Sequence, residues 1–530
     1  MTQRHVLWVA AENDGLQGGK VGGIGDVVRD VPPALARLGL QVSVATPSYG
    51  FLHKTPGSTL LGLVSFLFGG MTTDATIHWV PGRQPSPGVS HYVFEHPAFT
   101  WVERGRHQIY RNDPPDSPFA SDASKYALFC AAVAEATRSG LFGHVDCMHL
   151  HDWHAAFLLI LRKYHPKYES LNAIRSAYTI HNLALQGIRP LQGHPSSLKS
   201  WYPDVPIDTG TIADPRWRNC VNPMAVGIRL ADAVHTVSPS YAAEILQPSD
   251  HPRYYGGEGL EADLARAKQD GRLFGILNGC EYPADRNVPK LKLPELLDQF
   301  SSQVLQWTVA QGSVSVTHLM ALERLRNIAR QCDAVDMFLT SVTRVVDQKV
   351  FLLRAVGSDG TSGLQGLLDV IGKTGVYVLL GTGDQEYENF LATIAARRQN
   401  FVFLNGYSDW CAGALYANGD LFVMPSSFEP CGISQMLAMR DGQPCLVHSV
   451  GGLRDTVTDG VDGLAFTGAT VADQVDAFRQ ACRRAVDLKR AGSQSAWTKL
   501  VEAAAARRFA WDDTVREYAT RLYSDNQTTR

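Results

Sequence analysis

The chain lacks a charge excess, a membrane-length apolar run and a paired-cysteine motif, and each absence removes a class of function. Lys and Arg total 49 against 52 Asp and Glu over 530 residues, a formal charge of −3. Such a chain has no built-in field for DNA, RNA or an anionic membrane, so neither nucleic acid nor membrane is expected as a partner. A neutral substrate fits this balance, and so does a small anion held by a local cluster of cations. The most apolar short run, Leu60 to Phe68, is about half the length of a spanning helix. The nine cysteines are scattered at 130, 147, 220, 280, 332, 411, 431, 445 and 482, with no CxxC pair. Neither a zinc ribbon nor a dithiol redox site is supported, and most of them are expected to be buried small hydrophobes. The N-terminus enters a strand-like run at His5 without a basic region, an apolar stretch and a small-residue cleavage site, so a cytoplasmic location is expected.

What is present is an ordinary globular balance, 45% hydrophobic and 19% charged, in a chain too long for one core. Short apolar runs read as buried parallel strands: Val6–Ala10, Val42–Ala45, Ala177–Ile180, Ala233–Val237, Val376–Leu380, Phe401–Leu404, Leu421–Met424 and Cys445–His448. Helix-like stretches such as Ser124–Arg138 and Glu386–Arg398 lie between them. Strands alternating with helices predict α/β, doubly wound sheets in two Rossmann-like domains. The expected boundaries are 1–280 for the N-terminal domain, 281–334 for a connection, 335–505 for the C-terminal domain and 506–530 for a last helix and tail. Ligands of such sheets bind beyond the C-terminal ends of the strands, so two of them facing each other predict a deep cleft.

Five motifs sit where strands are expected to end. In Gly18-Gly19-Lys20-Val21-Gly22-Gly23-Ile24-Gly25-Asp26 the glycines let amides approach phosphate oxygens and Lys20 adds charge, although a flexible loop explains the same residues. His149-Leu150-His151-Asp152-Trp153-His154 offers three histidines whose spacing does not make them converge on a metal. A sugar-contacting loop fits better, with Asp and His on hydroxyls and Trp153 on a pyranose face. Tyr178 to Gly187 ends a strand at His181-Asn182. Arg344 and Lys349 straddle a strand end and a helix start, a placement that suits a diphosphate. Pro425 to Gln435 places Glu429 at a strand end, with a helix expected from Gly432 onward. The carboxylate suits positive charge developing on a sugar ring, and the helix amides suit phosphate.

Taken in this order, the motifs resemble those of the bacterial glycogen synthases and plant starch synthases, retaining glucosyltransferases of the two-domain GT-B fold. The resemblance runs from the first strand to the last helix. It is carried by Lys20 to Val27, by the HDWH and HN-x-x-x-QG segments, and by Ala231 to Tyr241, Gly257 to Glu261 and Gly275 to Gly279. It continues through Arg344 to Lys349, Phe428 to Gly432 and Gly451 to Val457. The resemblance implies transfer of glucose from ADP-glucose, or another nucleotide sugar, to the non-reducing 4-hydroxyl of an α-1,4-glucan, with no cofactor and no metal. The N-terminal domain would then be the acceptor side, the C-terminal domain the nucleotide-sugar side, and the last helix would cross back to the N-terminal domain.

The same resemblance assigns roles. Arg344 and Lys349 would hold the donor's diphosphate, and Lys20, Gly22 and Gly23 would reach the same nucleotide. Glu429 would lie beside the transferred glucose, with His181, Asp152 and Asn278 around it. Tyr407 would lie next to the base, and Cys431, Gly432, Ile433 and Ser434 would meet glucose and phosphate. No residue is placed as a covalent nucleophile, so front-face attack is the favoured course. Glu429→Ala and Lys349→Ala are each expected to abolish most turnover and leave folding intact. Several positions depart from the family pattern: Val21 for Thr, Ala225 for Lys, Ser427 for Arg, Val350 for Gly, and an inserted-looking segment from Gly357 to Gly366. These leave a different donor, a small acceptor or a weakly active glucan-binding homologue as alternatives.

Overall fold

The structure is a computed structural model that describes residues 4–103, 105–283, 290–491 and 494–524. The chain folds as two compact units. The first contains the residues up to Ser249, Gly256–Asn278 and those from Ala510 onward; the second contains Asp250–Tyr255 and Gly279–Phe509. Of the expected layout, 1–3 and 104 of the N-terminal domain, 284–289 of the connection, 492–493 of the C-terminal domain and 525–530 of the tail lie outside the described residues.

Among the described residues the first unit's main sheet has nine strands: β1 His5–Val9, β2 Gln41–Pro47, β3 Thr59–Phe68, β4 Met71–Val80, β5 Val89–Glu95, β6 Cys147–His151, β7 Arg175–Ile180, β8 Ala233–Thr236 and β9 Leu273–Gly275. Their order is β9-β8-β7-β6-β1-β2-β5-β4-β3. Neighbours from β9 to β5 are parallel. The hairpin β3–β4 extends the sheet antiparallel to β5. Strands β1, β6 and β8 are buried along their whole length. The Leu60–Phe68 run is strand β3, with Val64 and Phe66 facing inward and Leu61, Leu63 and Leu67 outward.

Helices cover both faces of this sheet. Helix α1, Gly23–Arg37, follows β1 and buries Ile24, Val27, Val28, Val31, Ala34 and Leu35, an i, i+3, i+4, i+7 stripe. That stripe packs with Val6, Trp8 and Val42 on one face. Helices α2, Ala120–Arg138, and α3, Asp152–Tyr164, cover the other face over Leu7, Val9 and Leu150. The switch point of the sheet lies between β1 and β6, because the chain winds from β1 towards β2 on one side and later fills β6 to β9 on the other.

The second unit opens with two helices, α4 Leu293–Gln311 and α5 Val316–Ala329, in the segment read as a connection. Its sheet contains β10 Met337–Val342, β11 Gly375–Leu380, β12 Phe401–Leu404, β13 Leu421–Met424, β14 Cys445–His448 and β15 Gly463–Phe466. All neighbours are parallel, in the order β12-β11-β10-β13-β14-β15. Counted from β10 this is the 3-2-1-4-5-6 order of a dinucleotide-binding sheet, with its switch point between β10 and β13. Helix α6, Asp347–Arg354, follows β10, and helix α7, Ser434–Arg440, follows β13. The last helix, α8 Trp511–Glu517, returns to the first unit. Trp511, Val515, Tyr518, Leu522 and Tyr523 pack with Trp8 and the α1 stripe.

Candidate active site

In the second unit the switch point brings two distant motifs together. The chain leaves β10 at Val342, passes the exposed Arg344 and enters α6 at Asp347, which places Lys349 in its first turn. The chain leaves β13 at Met424 and reaches Glu429 five residues later. Lys349 Nζ donates to Glu429 Oε2; the Glu429 side chain is buried and that of Lys349 is mostly covered. Ser426 Oγ donates to the same carboxylate oxygen at 3.3 Å. Burial pushes the Lys349 ammonium down from its ordinary value, Glu429 opposes that shift, and the neighbouring Arg344 charge adds to it. The backbone around the pair is fixed as well. Gln348 donates to the Phe428 carbonyl at 3.1 Å, and the Ser427 amide donates to the Gln348 carbonyl at 2.9 Å. Tyr255 stacks on Phe428 with ring centres 4.2 Å apart.

The Cys431–Ser434 turn differs from expectation in one respect. Helix α7 opens at Ser434, not at Gly432. Gly432 has φ +78°, a left-handed conformation that keeps it out of the helix and favours glycine. Cys431 is buried, Ile433 caps the helix, and Ser434 Oγ accepts from Tyr416 at 3.2 Å. Tyr407 lies beyond the end of β12, on the same edge of the sheet, 59% exposed, and its hydroxyl donates to Asp409 at 2.7 Å. Its loop is braced by a residue that no motif marked. The Trp307 indole of α4 donates to the Tyr407 carbonyl at 3.2 Å, and a Cβ on Gly406 would come within 2.6 Å of the same ring. Of the departures noted in the sequence, Val350 is fully buried in the core and Ser427 is held by Gln348.

In the first unit, Lys20, Gly22 and Gly23 form the entrance to α1. The Gly22 amide, expected to face a phosphate, donates to Glu12 Oε2 at 2.6 Å, and the Val21 amide donates to the same oxygen at 2.7 Å. Tyr110 donates to the other Glu12 oxygen at 2.8 Å. A buried carboxylate therefore sits at the N-terminus of α1, where the helix field favours negative charge. Lys20 pairs with Asp26 at 2.6 Å, and Arg29 reaches Asp26 and Asp14. Glu12 was not legible beforehand, since it is a lone acid outside any motif.

At the ends of β6 and β7, Asp152 and His181 meet. Asp152 Oδ1 accepts the His181 amide at 2.7 Å, with Asp152 itself at φ +53°. A non-glycine residue held in that region commonly marks a functional constraint. Burial pushes the Asp152 carboxyl up to about 8, against the backbone amides of His181 and Asn182, and pushes His181 down to about 3. Asn278 follows β9, is buried, and its Oδ1 has no partner among the described residues. Trp153 corrects an expectation. It is a core residue packed edge-on against Phe119 and Tyr126, turned inward by α3, and offers no ring face to a sugar. His149, His151 and His154 do not converge, and no group of three metal-ligating residues occurs among the described residues.

Two Rossmann-like domains of parallel sheet are the layout of the GT-B fold. A family model described as the starch synthase catalytic domain matches residues 5–266, and one described as glycosyl transferases group 1 matches residues 322–487. A glycogen synthase of Streptococcus equi subsp. equi is 32% identical over 520 residues, 96% of this chain and 97% of that one. A glycogen synthase of Gloeobacter violaceus is 36% identical over 459 residues, 85% of this chain and 84% of that one. The solved catalytic domain of starch synthase IV from Arabidopsis thaliana, bound to ADP and acarbose, superimposes with a TM-score of 0.73 at 26% identity, covering 98% of this chain and 99% of that one. The chain belongs to the glycogen and starch synthase family, and it is a glucosyltransferase of that type.

Proposed function

We propose that the protein transfers glucose from ADP-glucose to the non-reducing 4-hydroxyl of an α-1,4-glucan with retention of configuration, in the cytoplasm. The observation that carries this reading is the Lys349–Glu429 pair at the second unit's switch point, mostly withdrawn from solvent, with Arg344 beside it. Arg344 and Lys349 neutralise the leaving diphosphate, and Tyr407 lies against the base. The C1–O bond to the diphosphate breaks first, and the sugar gains oxocarbenium character. Glu429 stabilises that charge. The acceptor oxygen bonds to C1 on the same face, and its proton passes to a diphosphate oxygen, which leaves as ADP. Lys20, Gly22 and Gly23 contribute to the nucleotide once Lys20 exchanges Asp26 for phosphate. Asp152, His181 and Asn278 hold the glucose hydroxyls, and Cys431, Gly432, Ile433 and Ser434 line the turn beneath sugar and phosphate. None of these roles calls for a cofactor.

The matched starch synthase carries ADP in its structure, which supports adenine over uracil as the donor base. The test is nucleotide release by the purified protein with glycogen as primer. Release that requires both ADP-glucose and glycogen is expected. Release from UDP-glucose alone would overturn the donor assignment, and release from neither by folded protein would overturn the reaction.

A further inference from the structure

The first unit contains more buried imidazoles than the proposed transfer uses. His149 and His235 lie within two of three adjacent strands, β6 and β8, His151 and His181 lie at the ends of β6 and β7, and burial holds all four neutral. Most of their protons can be placed from partners alone. His235 Nε2 faces the Ile276 carbonyl at 3.3 Å, so it carries the hydrogen, and its Nδ1 accepts from Thr179 at 2.9 Å. The Thr179 oxygen then accepts from His149 Nε2 at 2.6 Å, which leaves His149 Nδ1 to accept from Tyr523 at 2.7 Å. His149 is thereby fully used and has nothing to offer His151.

His151 Nδ1 lies 3.0 Å from His181 Nε2. Between two neutral rings, only one of these nitrogens carries the hydrogen. His151 is buried between the Trp8 and His149 rings, each with its centre 4.4 Å away, and its Nε2 has no partner among the described residues. A hydrogen on that Nε2 would be a buried donor without an acceptor, the rarer and costlier of the two unpaired states. The hydrogen therefore sits on His151 Nδ1 and is donated to His181.

We infer that His151 is a positioning residue that fixes the His181 tautomer, so that His181 carries its own hydrogen on Nδ1 and offers a donor, not a lone pair, to a sugar oxygen. The backbone amide of His181, held by Asp152 Oδ1 at 2.7 Å, fixes the same residue from its other side. The inference rests on the proposed place of His181 beside the transferred glucose.

The test is a long-range 1H–15N spectrum of the full-length protein with labelled histidine, the His181 signals being assigned by their loss in His181→Gln. The expected pattern is a protonated Nδ1 and an unprotonated Nε2 in the wild type. Two variants then separate positioning from packing. His151→Asn keeps an N–H at the Nδ1 place and is expected to stay within about threefold of wild-type kcat, whereas His151→Leu loses roughly tenfold to a hundredfold, the range measured where the outer partner of a metal-ligating histidine is removed. A wild-type spectrum with His181 protonated on Nε2 overturns the inference, as does normal turnover in His151→Leu. If His151→Leu does not fold, the wild-type spectrum and the Asn variant still decide it. Normal turnover in a folded His181→Ala would instead remove His181 from the proposed site and leave the tautomer assignment standing.

Discussion

Removing one partner of the Lys349–Glu429 pair is expected to cost stability as well as activity. In Glu429→Gln the Lys349 ammonium stays mostly covered beside Arg344, and the main group that favours its charge is gone. Leaving one member of a buried pair uncompensated costs roughly 3–5 kcal/mol. For a unit of this size that lowers the unfolding midpoint by roughly 6–20 °C, at about 2–4 °C per kcal/mol. Lys349→Met strands the carboxylate instead and is expected to fall in the same range. The double variant Lys349→Met with Glu429→Gln removes both charges and is expected to recover most of the loss, because the desolvation cost vanishes with the attraction. Calorimetry or urea unfolding of the full chain at pH 7 measures this, with the second unit's transition followed separately. Singles within about 1 kcal/mol of wild type, or a double no more stable than its worse single, would refute the reasoning. The geometry thus adds a stability cost to the loss of turnover expected when either member of the pair is replaced.

Three further outcomes follow from the geometry. Asp152 binds its proton up to about pH 8 when folded and only to about pH 4 when unfolded, so stability falls by about 1.4 kcal/mol per pH unit between those values. Asp152→Asn should flatten that slope in unfolding curves at pH 5, 6 and 7, and parallel curves would contradict the burial argument. Glu12→Gln should weaken the charge-assisted hold on the Val21 and Gly22 amides by about 1.5–3 kcal/mol, read as faster hydrogen exchange at those two positions and unchanged exchange in β1. Trp307→Ala should raise the ADP-glucose KM by about fivefold with kcat largely kept, since one hydrogen bond bracing the Tyr407 loop is lost. An unchanged KM would leave Trp307 a packing residue only.

The parallel strands were legible because burial on both faces writes them as continuous apolar runs, as in Phe401–Leu404 and Leu421–Met424. The hairpin β3–β4 was not, because the outward leucines of β3 hide its inward alternation of Val64 and Phe66. Arg344, Lys349 and Glu429 were legible as motif residues, but their meeting depends on β10 and β13 being sheet neighbours, which topology decides. The same holds for His151 and His181, brought together by the register that pairs His151 with Thr179. The place of Trp153 is not legible from its motif, because its neighbour Asp152 sits at the strand end while the helix that follows turns the indole into the core. Helix α7 starts two residues later than expected because Gly432 adopts a left-handed conformation that no composition rule reveals. Glu12 and Trp307 reach their loops from elsewhere in the chain, and neither carried a signal.

If the Lys349–Glu429 pair performs the transfer, the folded double variant isolates its contribution. The measurement is incorporation of labelled glucose from ADP-glucose into glycogen by wild type and by Lys349→Met with Glu429→Gln, once its unfolding curve shows a folded second unit. A rate lower by roughly a hundredfold or more is expected, the scale of losing transition-state electrostatics. A rate within a few fold of wild type would contradict it and would move the chemistry away from this switch point.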